Sequence, residues 1–137
     1  MRLSRKTFGT HNGREIDLFT LSNGNGLVVS LTNYGGIVTS IRFPDRNNSF
    51  ENMVLGYATL EQYIEDEHYI GCLIGRYANR ISQGRCQIDG KKYQLFCNDG
   101  NNHLHGGREG FNKKIWEAET VREPRGCGVK LYLTSPD

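Results

Sequence analysis

The chain has 137 residues, enough for one domain around one core. Its 17 Lys and Arg set against 15 Asp and Glu give a formal net charge of +2 with no block of like charge, which argues against a nucleic-acid or anionic-membrane partner. With 36% hydrophobic residues, 17 Gly and only 3 Pro, the composition is that of a globular chain built on many tight turns instead of long helices.

The segment Met1-Arg2-Leu3-Ser4-Arg5-Lys6-Thr7-Phe8 carries charge with no apolar run behind it, and no stretch of the chain approaches the length of a membrane span. A cytoplasmic location is therefore expected, with residues 1–7 as a flexible N-terminus ahead of a single domain covering 1–137. Cys72, Cys86, Cys97 and Cys127 are too irregularly spaced for a metal or redox motif and read as small buried hydrophobes. Asn47-Asn48-Ser49 has the form of a glycosylation acceptor, but without a secretory route it reads as a turn.

Gly13 breaks the first segment, and Ile16–Leu21 then alternates like a half-buried strand. Asn23-Gly24-Asn25-Gly26 has the chemistry of a tight β-turn, so Leu27–Leu31 is predicted to return as the second strand of a hairpin. After a turn at Tyr34-Gly35-Gly36, Ile37–Phe43 alternates again, with Thr39 the one polar residue on its apolar face, and Pro44-Asp45 ends it. Thr59-Leu60-Glu61-Gln62-Tyr63-Ile64 offers a Thr cap, an acidic first turn and apolar residues three and four apart, predicting one short helix. Asp89-Gly90 predicts a hairpin across Gln87–Leu95, and Ile115–Val121 and Val129–Thr134 are predicted as the last strands, joined by a loop containing Pro and Gly. Strands separated by short turns, with few helices, point to an all-β fold, an antiparallel β-sandwich.

Two motifs carry the chemistry. Gly75-Arg76-Tyr77-Ala78-Asn79-Arg80-Ile81 and Asn102-His103-Leu104-His105-Gly106-Gly107 bring an amide, a guanidinium and an imidazole into an otherwise ordinary β-rich sequence. Taken singly, each has a plain reading: Arg80 as half of a surface ion pair, Asn79 as a turn residue, His105 as a loop or core histidine. Gly106-Gly107 changes the weight for His105, because a double glycine lets backbone approach closely and can aim the preceding side chain at a ligand. His103, two residues earlier, would share a face with His105 on a strand, but no third ligand accompanies the pair, so no metal is expected.

Together the motifs resemble those of the aldose 1-epimerase (galactose mutarotase) family, and turns and packing positions such as Gly35-Gly36, Asp89-Gly90-Lys91-Lys92-Tyr93, Gly110-Phe111 and Trp116 fit the same pattern. The resemblance runs from about Phe8 onward and implies the N-terminal portion of a large β-supersandwich with a sugar site on one open face. It implies substrate-binding roles for Asn79, Arg80 and His105, catalytic roles for Arg80 and His105, galactose- or glucose-type aldoses as ligands, and no cofactor. The family's general-acid histidine, its general-base glutamate and an aspartate that grips sugar hydroxyls match no residue here, falling beyond Ser135-Pro136-Asp137. The resemblance implies an aldose 1-epimerase that interconverts the α and β anomers of such hexoses. Without those groups three readings stay open for this chain: part of a longer mutarotase, a subunit completed by a C-terminal portion or another copy, or a non-catalytic carbohydrate-binding or oligomerisation module. An epimerase of sugar phosphates would gather basic residues at the pocket, and Arg108 is the one nearby candidate.

Overall fold

The computed structural model describes residues 1–136. Five strands, β1 (Arg2–His11), β2 (Arg14–Ser22), β3 (Val28–Thr32), β4 (Val38–Pro44) and β5 (Phe50–Asn52), form one antiparallel sheet in chain order. Residues 2–7, expected to be a flexible N-terminus, instead form the outer part of β1, paired with β2 from Arg2↔Ser22 to Thr7↔Asp17. Alternating charge hid this strand: on an edge, Arg2, Ser4 and Lys6 can face solvent while the backbone pairs. The turn to β2 places Asn12 and Gly13 at φ 51 and 71, the left-handed pair that a two-residue hairpin loop requires.

The register sorts the side chains of this sheet by face. Leu3, Leu21, Val29 and Ile41 are cross-strand partners in one row, and the next row is Ser4, Thr20, Ser30 and Ser40. Adjacent rows point to opposite faces, so these two rows set apolar side chains on one side and hydroxyls on the other, with Thr20 and Ser30 bonded at 3.1 Å. Thr39 lies buried on β4. Phe43, expected to continue the same apolar face, is 48% exposed.

The helix α1 (Leu60–Glu65) forms where its cap predicts, with Thr59 and Gln62 closing a reciprocal capping box. It turns Leu60 and Tyr63 into a fully buried cluster with Ile16, Tyr34 and Ile37. Inside that cluster the Tyr63 hydroxyl accepts the Tyr57 N–H at 2.8 Å, so the buried phenol is satisfied. Asp17, also buried, accepts from Arg5 Nε at 2.6 Å, while its N–H donates to Asn33 Oδ1.

Beyond α1 regular structure thins. Strand β6 (Arg80–Ile81) pairs with β9 (His103–Leu104), and β7 (Arg85–Ile88) forms the predicted hairpin with β8 (Lys91–Gln94) around left-handed Asp89 and Gly90. The last hairpin joins β10 (Glu117–Glu123) to β11 (Gly126–Tyr132) through Pro124-Arg125 alone, shorter than the predicted loop. Arg122 donates to the Leu3 carbonyl at 3.0 Å, tying this hairpin to β1. All four thiols are free but only partly buried, so they are not the enclosed hydrophobes expected; burial pushes the Cys72 thiol up to about 11. Asn47-Asn48-Ser49 is a turn, with Asp45 Oδ1 accepting the N–H groups of Asn47 and Ser49.

Candidate functional site

The β6–β9 pairing sets Arg80 opposite Leu104 and so brings the two motifs together across more than twenty residues of chain. Asn79 and His105 then clasp each other. The Asn79 N–H donates to His105 Nδ1 at 3.0 Å, and the His105 N–H donates to the Asn79 carbonyl at 3.2 Å. An imidazole whose Nδ1 accepts a hydrogen bond from an amide must carry its proton on Nε2, so His105 is held as a neutral donor.

Both residues sit in the left-handed region, Asn79 at φ 65 and His105 at φ 53, which costs on the order of 1 kcal/mol each and must be over-determined by neighbours. Gly106, at φ 96, supplies part of that constraint: a side chain there would collide with the Gly75 carbonyl. At Gly107 a Cβ would stand 2.8 Å from the His103 ring, and at Gly110 one would stand 2.5 Å from the His105 carbonyl. The loop that carries His105 is thus packed backbone against backbone, which only glycine permits.

Arg80 takes up the plain reading and still leaves donors free. Its Nε donates to Asp99 Oδ2 at 2.6 Å in an ion pair whose side chains are 53% and 37% exposed. Asp99 is itself held by reciprocal backbone bonds with Asn102 at 3.1 and 2.9 Å. The pair uses one edge of the guanidinium, and among the described residues its two terminal nitrogens have no partner. A fork fixed at Nε and open at both Nη atoms is an oriented donor.

His103 does not join this cluster. Its buried ring bonds the Phe96 carbonyl through Nδ1 at 2.9 Å, which makes Nδ1 the protonated nitrogen, the opposite tautomer to His105. Arg108 lies over the Phe96 ring, 4.3 Å from its centroid. Sequence reasoning missed Asp99, Asn98 and Tyr69. Asn98 bonds both the N–H and the carbonyl of Leu104, at 2.8 and 2.9 Å, and Tyr69 stacks edge-on against His105 with centroids 4.8 Å apart. The one sequence signal for any of them was Asp99-Gly100, a generic turn pair. A cavity of about 350 Å³ lined by Gln83, Arg85, Gln94, Cys97, Gly100 and Asn101 opens beside Asp99 in the chain, and none of Asn79, Arg80 and His105 lines it.

Fold and cluster together define an antiparallel β-protein that presents a prearranged set of neutral and cationic hydrogen-bond donors from tightly packed loops. The aldose 1-epimerase family model matches residues 17–137, and the chain belongs to that family. It is 36% identical to galactose mutarotase from Rattus norvegicus, over 98% of this chain and 39% of that protein. Aldose 1-epimerase from Escherichia coli K12 is 41% identical over 92% of this chain and 36% of its own length. The crystal structure of galactose 1-epimerase from Lactobacillus acidophilus NCFM superimposes with a TM-score of 0.86 at 27% identity, over 99% of this chain and 39% of that one. The all-β antiparallel fold expected from the sequence is therefore the galactose epimerase fold, and the chain spans about two fifths of the length of these relatives.

Proposed function

We propose that this chain supplies the sugar-anchoring part of an aldose 1-epimerase site, acting on galactose- or glucose-type hexoses, and that it requires a C-terminal portion of the same fold for turnover. Interconverting α and β anomers means removing the proton of the anomeric hydroxyl, protonating the ring oxygen, rotating the opened aldehyde and closing the ring again. His105, neutral with its proton on Nε2, is suited to donate to the sugar near its ring oxygen. The free Nη groups of Arg80 are suited to stabilise charge that develops on opening, and the Asn79 amide to bond a hydroxyl. Residues of this chain call for no cofactor in that scheme. The observation that carries the reading is the Asn79 N–H on His105 Nδ1, which turns an otherwise ambiguous loop histidine into an oriented donor beside an oriented arginine.

A second reading, a carbohydrate-binding module without turnover, is favoured by Asp99. It is the carboxylate found beside the cluster, and Arg80 already engages it, which leaves it poorly placed to serve as a base.

Optical rotation of freshly dissolved α-D-galactose, followed with and without the purified chain and with Arg80→Ala and His105→Ala, separates the readings. Acceleration abolished in both variants supports an aldose 1-epimerase site completed within or between copies. Saturable galactose binding without acceleration, restored to turnover by a C-terminal portion, supports the anchoring role. Absence of binding overturns both.

A further inference from the structure

We infer that Tyr69, held by Asn98, is the positioning residue that sets the ring plane of His105; the sugar-site reading above is presupposed only for what that ring then contacts. The hydrogen bond from Asn79 fixes which nitrogen of His105 accepts, but a single bond at Nδ1 leaves the imidazole free to swing about it. The Tyr69 ring supplies the second constraint, edge against face at 63° with centroids 4.8 Å apart. Tyr69 is itself an unusual residue to find there. It has φ 58, a left-handed conformation that a bulky aromatic side chain adopts only when its surroundings demand it.

Asn98 is part of what demands it. Its Nδ2 donates to the Tyr69 hydroxyl at 3.1 Å and to the Leu104 carbonyl at 2.9 Å, while its Oδ1 accepts the Leu104 N–H at 2.8 Å. One amide, all of whose protons are used, thereby locks the aromatic ring to the backbone of the residue before His105. Burial raises the Tyr69 phenol above its usual range and outweighs the hydrogen bond from Asn98, which by itself would lower it, so Tyr69 stays neutral beside the imidazole. The stack adds no charge that would draw a second proton onto the ring.

The test is carried out on the whole chain with 15N-labelled histidine, the His105 signals being assigned by their loss in His105→Gln. The expected wild-type result is a single neutral Nε2–H tautomer with sharp lines. In Tyr69→Leu the His105 signals broaden or shift toward a mixture of tautomers, and the dissociation constant for galactose rises roughly three- to tenfold, the equivalent of one aromatic stack. Tyr69→Phe keeps the ring but drops its tether to Asn98, so the tautomer persists, the lines broaden and affinity falls by less. Unchanged His105 signals in a folded Tyr69→Leu overturn the inference; should that variant not fold, unchanged signals in Tyr69→Phe overturn it. If wild-type chain binds no galactose at all, the sugar-site reading fails, while the imidazole signals still decide the role of Tyr69.

Discussion

The five-stranded sheet and the loop region around His105 are stabilised by different means, and the contrast explains where function can reside. In the sheet, neighbours in sequence are neighbours in space, registers run on for five to nine pairs between β1, β2 and β3, and apolar rows do the work. Around His105 the strands are two residues long, and order comes from left-handed residues, close glycine packing and hydrogen bonds that reach across the chain from Asn79 to His105 and from Asn98 to Leu104. A sheet tolerates changes of side chain that keep volume, whereas a region built from backbone contacts tolerates almost no added atom. That rigidity is what an oriented donor set needs.

Glycine substitutions give the widest separation between the two regions. Gly106→Ala drives a Cβ into the Gly75 carbonyl at φ 96 and should cost more than about 3 kcal/mol, whereas Gly13→Ala, with nothing within 4 Å, should cost only about 1 kcal/mol for its left-handed φ. Urea denaturation midpoints of the two variants would measure the difference, and equal costs would break the contrast. Ile16→Ala, at a fully buried position, should cost about 2–5 kcal/mol while leaving the His105 imidazole signals in place. Disturbed His105 signals in that variant would mean the two regions are coupled through the core.

Removing the cap is a smaller change. Thr59→Ala opens the capping box of α1 and should cost about 1 kcal/mol, read from thermal unfolding. The smallest effect is acid sensitivity at Asp66, at the end of α1. Burial pushes this carboxyl up, but the N–H groups of His68 and Ile70, the Tyr57 hydroxyl and the charge of Lys113 outweigh it and hold it below its usual range. A folded value below the unfolded one means that its contribution is complete above the unfolded value and is lost as pH falls through the folded one. Stability should therefore decline below about pH 4, and less steeply in Asp66→Asn, in denaturation followed from pH 7 to 2.

Much of the regular structure was legible in the sequence because its signals are local. Asn23-Gly24-Asn25-Gly26, Asp89-Gly90 and Thr59 lie where they act, and the alternation of Ile16–Leu21 needs no distant partner to make sense. Strand β1 was missed because edge strands carry charge, and β5 because three residues hold too little pattern to recognise. In the candidate site, Asn79, Arg80 and His105 were singled out by a motif resemblance, and their proximity rests on two-residue strands that no periodicity can reveal.

By itself the sequence determined the fold class, the hairpin turns, the helix and its cap, and the family, since each is written in residue types at short spacing. Only the tertiary structure decided that Arg80 shares its charge with Asp99, that His105 carries its proton on Nε2 and His103 on Nδ1, and that Tyr69 and Asn98 brace the cluster. The physical reason is that hydrogen-bond direction and tautomer depend on which partner arrives across the fold, and short polar contacts between distant segments leave no periodic trace in the chain.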